Sequence, residues 1–132
     1  MYRAIAVVKK EKSALVVELD EGKAIHKVRF EGEVLLKLDR DYRPLYLEVE
    51  VKDVAEGLNA LSNMGPIGGM TFDGVYLELS LNQGEPEHWA HFGGTVELEL
   101  DSNYRPLRMT VEVKDPMGSE GVLKSAGLLA TR

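Results

Sequence analysis

The sequence predicts a mainly β fold, and two observations carry that prediction. Apolar residues alternate one by one with polar residues over long stretches, which is the period of a strand. The chain also contains an internal repeat: 16 of 28 residues are identical when residues 26–53 are laid over residues 88–115, at an offset of 62. We therefore expect two tandem antiparallel units with pseudo-two-fold symmetry, forming a two-sheet sandwich or a partly open barrel, with one or two short helices. An α+β fold is the alternative.

The repeat predicts how one domain, residues 1–132, is organised. Its copies span about residues 13–53 and 73–115, a linker helix and loop covers 54–72, and a C-terminal segment covers 116–132. Upstream of the main match, residues 15–19 resemble residues 75–79 at an offset of 60. This difference of two predicts a short insertion in the second copy at about residues 83–87. Residues 1–12 have no counterpart in the second copy.

Each copy is expected to be a meander of four strands. The predicted strands cover about residues 14–20, 25–31, 33–39 and 44–52, and then 74–81, 87–92, 95–101 and 106–114. Residues 2–8 add a ninth strand that pairs with 14–20. The segments 39–44 and 101–106 are turns, because Asp and Asn bond their own backbone there and proline keeps the preceding residue extended.

Helix signals follow each copy. Asp53 lies three residues before Glu56, which is the spacing of a capping box, and an apolar helical face follows. Asp115 and Pro116 predict a second helix start, with proline in the first position. The apolar segment 121–131 is expected to include a short helix packed on the sheet, although Gly127 weakens it.

Composition and charge limit the classes of function. The chain has no cysteine, which excludes disulfides, thiolate metal sites and cysteine nucleophiles. Its net charge of −6 argues against binding to nucleic acid or to an anionic membrane surface. No apolar run is long enough for a membrane span, and Lys9 and Lys10 follow the first apolar run, whereas a signal peptide has its charge first. We expect a soluble, cytoplasmic domain without a cofactor.

Three segments of the second copy form a pattern known from other proteins. They are the strand at 73–79, the Gly-Thr-Val strand at 94–101 and the strand at 107–113. Together they resemble a family of small bacterial and archaeal β domains of unknown function, over about 40 residues in each copy. Where that family has a turn glycine, this chain has Tyr-Arg-Pro. The resemblance implies a β fold and carries no activity.

The histidines are the first candidates for a site. His88 and His91 have an H-x-x-H spacing, but on a strand they point to opposite faces. His88 and its counterpart His26 share a face with apolar residues, so we expect hydrogen-bonded histidines at the edge of the core. The alternative is a metal or proton site formed by His26 and His88 across the pseudo-axis. We assign no metal site and no catalytic residue.

Exposed side chains are the second group of candidates. Trp89 and His91 lie on the outward face, where an exposed tryptophan indicates a contact surface unless another element covers it. Arg43 and Arg105, in the twin turns, are either anion ligands or parts of the hairpins. The outward carboxylates Glu78, Glu97, Glu99, Asp101 and Glu112 are expected to form a solvated face, with a cation site or an acid pair as alternatives.

These candidates support three functions. We expect a non-catalytic binding or assembly module, in which the chain forms a homodimer and binds through Trp89, His91, His26, His88, Arg43 or Arg105. The first alternative is a carrier that holds a small apolar ligand between its halves. The second alternative is an enzyme that uses His26, His88 or His91 with a carboxylate. Nucleic acid and membrane are not expected as partners.

Overall fold

The fold is described here from a computed structural model, which covers residues 5–9, 14–52 and 70–129. The described residues are mainly β, as predicted. The strands are β1 (Ile5–Lys9), β2 (Ala14–Glu18), β3 (His26–Leu38), β4 (Pro44–Val51), β5 (Met70–Phe72), β6 (Tyr76–Ser80), β7 (His88–Leu100) and β8 (Pro106–Asp115), and the helix α1 is Glu120–Ser125. The predicted helix after Asp53 lies outside the described residues.

All eight strands belong to one antiparallel sheet. Their order is β1-β2-β8-β7-β3-β4-β6-β5, so β7 and β3 form the centre while β1 and β5 are the end strands. The sheet curls into an open half-barrel, with its apolar face inside. The described residues contain no second sheet, so the sandwich is not seen there. The predicted pairing of the first strand with residues 14–20 is confirmed by the β1–β2 register.

The two central strands are longer than predicted. We expected separate strands on either side of Gly32 and of Gly93–Gly94, but β3 and β7 each run unbroken for 13 residues. Each unit therefore has one long strand where two were predicted, and the meander of four is wrong. The apolar alternation supports this, because Phe30 and Val34 are buried on the same face as Gly32, which continues their period.

The central glycines pack against a neighbouring backbone. Gly32 of β3 pairs with Gly94 of β7 at the middle of the central ladder. A Cβ atom on Gly32 would lie 2.4 Å from the carbonyl oxygen of Glu50, and one on Gly94 would lie 2.9 Å from that of Glu112. Glycine is required at both places because no side chain fits between these backbones.

Residues 62 apart occupy equivalent places in β2 and β6, in β3 and β7, and in β4 and β8. Leu15 pairs with Val111 and Leu77 pairs with Val49, so both the residues and their partners differ by 62. The predicted offset of 60, with an insertion near residue 85, is therefore wrong. The short strand β5 lies beside β6 as β1 lies beside β2, so the expectation that the N-terminal strand has no positional counterpart is also wrong.

The C-terminal helix closes on the core beside β7. It begins at Glu120 rather than at the predicted Pro116, which lies in the preceding turn. Leu123 and Leu128 are buried in the core, as expected for a helix that packs on the sheet. The helix ends at Ser125, and Gly127 just beyond it has a φ of 78°, which turns the chain so that the Leu128 N–H donates to the Leu123 carbonyl at 2.8 Å.

Candidate functional site: an aromatic patch on the outer face

The outer face of the sheet carries a patch of aromatic and apolar side chains on three adjacent strands. Lys37 of β3 lies between Trp89 of β7 and Tyr46 of β4 in the pairing register. One row further along, Leu35 of β3 pairs with His91 of β7. We call these five residues the Trp89 face. They meet because odd-numbered residues of β3 and β7 point away from the core, and the register aligns them with even-numbered residues of β4.

Trp89 is a large apolar side chain of the patch that is more than half exposed. Its exposed fraction is 52%, and this is the only tryptophan of the chain. Leu35 beside it is half-buried and His91 is exposed. The Lys37 Nζ lies 5.1 Å from the centroid of the Tyr46 ring, within the range of a cation–π contact. A large apolar ring is thus left in water beside a cation.

Two carboxylates adjoin the Trp89 face without a cation between them. Glu48 of β4 and Glu78 of β6 are directly paired across the strands. The Tyr46 hydroxyl lies within hydrogen-bond reach of both, 3.1 Å from Glu48 Oε2 and closer to Glu78 Oε1, but its single hydrogen can be donated to only one at a time. Burial, followed by the hydrogen bonds to Glu78 and Glu48, raises the pKa of Tyr46. Like charges in this position repel one another.

The equivalent surface of the other half is neutralised by ion pairs. Arg108, which corresponds to Tyr46, bonds Glu18 at 2.8 Å and Glu99 at 3.5 Å. Lys27, which corresponds to Trp89, lies 3.8 Å from Glu97, the counterpart of Leu35. By contrast, Lys37, Glu48 and Glu78 form no ion pair with any described residue. The two halves therefore have the same strand pairing in this region but carry different side chains on their outer surfaces.

The histidines that the sequence singled out are not brought together. His26 stacks on Tyr104 with ring centroids 4.2 Å apart, and His88 stacks on Tyr42 at 4.1 Å. Because β3 and β7 are antiparallel, these two stacks lie at opposite ends of the central ladder, on the order of 40 Å apart for strands of this length. His91 points to the outer face. The described geometry gives no shared site for the three.

The stacking tyrosines adopt an unusual backbone conformation. Tyr42 has a φ of 63° and Tyr104 a φ of 61°, a left-handed region that costs energy for a residue with a side chain. Both turns are held by an aspartate, since Asp39 Oδ1 accepts the backbone N–H groups of Asp41 at 2.8 Å and Arg43 at 2.9 Å. The bond from the Arg43 N–H is the main cause that lowers the pKa of Asp39. The turns thus hold each tyrosine against a histidine of the other half.

The arginines of these turns are paired with carboxylates. Arg43 Nε lies 3.2 Å from Asp39, and the Arg105 guanidinium lies 3.2 Å from Asp20. The partners differ because Asn82 takes the place that Asp20 has in the other half, and its amide donates to the Pro44 carbonyl at 2.9 Å. These contacts favour the hairpin role over anion binding for both arginines.

Sequence reasoning found Trp89 and His91 but missed their neighbours. Leu35, Lys37 and Tyr46 lie on β3 and β4, whose register against β7 the sequence does not state. A signal was present in the repeat, since these positions depart from their counterparts Glu97, Glu99 and Arg108. Positions at which the two copies differ in polarity or in the sign of their charge mark a surface that differs between the halves.

Other site types find no support in the described part of the chain. Within residues 5–9, 14–52 and 70–129, no group of three or more histidines and carboxylates is placed to hold a metal ion. No helix of these residues has the length and apolar character needed to cross a membrane. Comparisons with protein-family models, with curated proteins and with solved structures find no match to this chain, so the resemblance noted for its second copy stays a prediction.

Proposed function

We propose that this protein is a non-catalytic binding or assembly module, and that the Trp89 face is the surface by which it docks. The observation that carries the proposal is the half-exposed Trp89 on an outer surface whose counterpart in the other half is an ion-pair network. A fold that tolerates Lys27 at the equivalent position does not need an indole there. The tryptophan is therefore better explained by a contact with another molecule.

The chemistry of the patch suits a protein partner. Tryptophan and tyrosine are enriched among residues that dominate binding energy, because they bury a large area with few rotatable bonds. Leu35 and the indole of Trp89 would leave water on docking, which is the driving force. Lys37, Glu48 and Glu78 surround them with charges that fix the orientation of the partner.

The two alternatives have less support. A carrier needs an empty apolar interior, whereas the inner face is filled by the chain's own side chains: Leu36 and Leu98 are 0% exposed and Phe92 is 1% exposed. An enzyme of the predicted kind needs at least two histidines in one cleft. The two stacked histidines are held at opposite ends of the sheet, and His91 lies on the other face.

We also infer that the chain arose by duplication of one unit. The inference is supported by the 16 identities in 28 aligned residues and by the constant offset of 62 in strand pairing. The axis that relates the units passes through the Gly32–Gly94 pair, since these residues are each other's counterparts. Duplication left one outer surface free to change while the other kept its ion pairs.

The experiment that tests the docking surface is oxidative footprinting of Trp89. We expect Trp89 to be oxidised readily by hydroxyl radicals in dilute purified protein and to be protected in a concentrated extract of the cells that produce it. Met117, which is 42% exposed on the turn before α1, serves as an internal control and is expected to react equally in both. Equal oxidation of Trp89 in both samples would contradict the proposal.

A stability measurement tests the competing explanation, which is that Trp89 stabilises the fold. The Trp89→Lys variant carries the residue that the other half has at the equivalent position, Lys27. We therefore expect its free energy of unfolding to change by no more than about 0.5 kcal/mol, as is usual for surface substitutions. Lys27→Ala is the matched control. A loss of about 2 kcal/mol or more in urea unfolding would mean that Trp89 supports the fold and that the docking surface is wrongly assigned.

A further inference from the structure

The unpaired charges around Trp89 are of both signs and lie close to one another. Lys37 is on β3, while Glu48 and Glu78 are on the next two strands, β4 and β6. Among the described residues, Lys37 contacts the Tyr46 ring and no carboxylate, whereas the carboxylates contact the Tyr46 hydroxyl and no cation. A surface that carries both charges side by side, without pairing them internally, is complementary to itself.

We propose that the partner of the Trp89 face is a second copy of this chain, related by a two-fold axis that lies in the plane of the interface. This inference rests on the proposed function, and it adds the partner and its orientation. An axis parallel to the strands, between β3 and β4, sets β3 of each copy against β4 of the other, where the long side chain of Lys37 reaches Glu48 and Glu78 in the adjacent row. Both contacts form at once because a two-fold interface uses the same patch twice.

The position of the indole agrees with this arrangement. Trp89 lies on β7, one strand beyond Lys37, so the same rotation carries it over the second copy's β6, where Ser80 is the paired neighbour of Tyr46. Ser80 is small and exposed, while its counterpart in the other half, Glu18, is held by Arg108. The small residue leaves room for an indole, and the ion-paired glutamate does not.

The net charge of the chain restricts which of its surfaces can form a dimer interface. At −6, two copies repel one another at long range, so a dimer needs local contacts between opposite charges to form. The Trp89 face supplies them together with apolar area. The surface around Arg108 offers less of both, because Arg108, Lys27 and the glutamates beside them are already paired within the chain.

The test is sedimentation velocity of the full chain over a range of concentrations, with charge reversal on each side of the contact. One variant is Lys37→Glu and the other is the double variant Glu48→Lys/Glu78→Lys. Each alone sets like charges against each other in both contacts, and we expect its dimer to weaken at least about tenfold. Mixed together, they restore opposite charges, and we expect a heterodimer within about threefold of the wild-type dissociation constant.

The controls separate this inference from the docking surface itself. Lys27→Glu makes the same charge change at the position equivalent to Trp89 on the other surface and is expected to leave the dimer unchanged. Trp89→Lys is expected to abolish it. Far-UV circular dichroism verifies folding, and if the double variant does not fold, Lys37→Glu and Trp89→Lys still decide whether this face forms the dimer.

Three results overturn the inference. They are a wild-type chain that stays monomeric up to millimolar concentration, a dimer that none of the variants weakens, and a mixture that binds no better than its components. A monomer whose Trp89 is nevertheless protected in the footprinting experiment would leave the docking surface in place with a different partner. The fluorescence of the single tryptophan gives an independent readout, since burial in the dimer shifts its emission to shorter wavelength.

Discussion

Single residues at the centre of the sheet decide whether its long strands can form. Gly32 and Gly94 lie where two backbones pass so closely that an added Cβ would meet a carbonyl oxygen. Tyr42 and Tyr104 show the opposite case, since they occupy a left-handed conformation that glycine would adopt without cost. Their side chains compensate by stacking on His88 and His26, which belong to the other half.

The glycine requirement gives a prediction at this scale. We expect Gly32→Ala to lower the free energy of unfolding by about 1–3 kcal/mol, because the methyl group would force the Glu50 backbone away from β3. Gly121→Ala is the matched control, since nothing lies within 4 Å of its added Cβ and the residue is in α1. Alanine there is expected to be neutral or to stabilise by up to about 1 kcal/mol. Urea unfolding measures both, and equal effects would show that the close backbone contact at Gly32 is unimportant.

At the scale of elements, glycine was the source of the main error in predicting the strands. The sequence predicts breaks at Gly32 and at Gly93–Gly94, although the apolar residues on either side of Gly32 keep the same parity. A three-residue turn over 31–33 would pair Phe30 with Val34 and leave that parity unchanged, so alternation alone does not separate a hairpin from one long strand. The central ladder decides it, because β3 pairs with β7 over the full length of both strands.

The C-terminal helix shows how one element completes another. β8 pairs with β7 only from Gly93 onward, so the outer edge of the first part of β7 needs another partner. Ser119 supplies it at His91: its hydroxyl accepts the His91 N–H at 2.9 Å and donates to the His91 carbonyl at 3.0 Å. One side chain thus replaces a strand for both backbone groups of that residue.

This contact gives a prediction for the element. We expect Ser119→Ala to cost about 1–2 kcal/mol, because two backbone groups of β7 lose their partner. The amide of His91 should then exchange with solvent faster in a hydrogen-exchange experiment, while amides of the β3–β4 ladder keep their rates. Ser125→Ala, an exposed serine in the same helix, is the control and should change neither quantity. Unchanged exchange at His91 would contradict the proposed capping of this edge.

At the scale of the whole molecule, each half contributes its first hairpin to the part of the sheet formed by the other half. β2 of the first half pairs with β8 of the second, and β6 of the second half pairs with β4 of the first. Each histidine also stacks on the tyrosine of the opposite half. Neither half forms a sheet by itself, because its first hairpin pairs with the last strand of the other half. The molecule is therefore expected to unfold as one unit.

Paired core substitutions test this cooperativity. Leu36 and Leu98 are equivalent residues, and both are 0% exposed. We expect Leu36→Ala and Leu98→Ala each to cost about 2–5 kcal/mol and to lower a single thermal transition, with the calorimetric enthalpy equal to the van 't Hoff enthalpy. Two separate transitions in either variant would show that the halves fold independently and that the exchanged pairing adds little.

Composition, the repeat and the period of two were enough to predict the class of fold, the inner and outer sets of residues, and the outward orientation of Trp89, because these depend on residue identity and on the alternation of side chains along one strand. The order of the strands, the continuity of β3 and β7 and the separation of His26 from His88 were decided only by the tertiary structure. They depend on which strand pairs with which, and that is set by long-range packing of similar apolar faces. The same is true of the Trp89 face, since its residues come from three strands whose relative register is a property of the folded sheet.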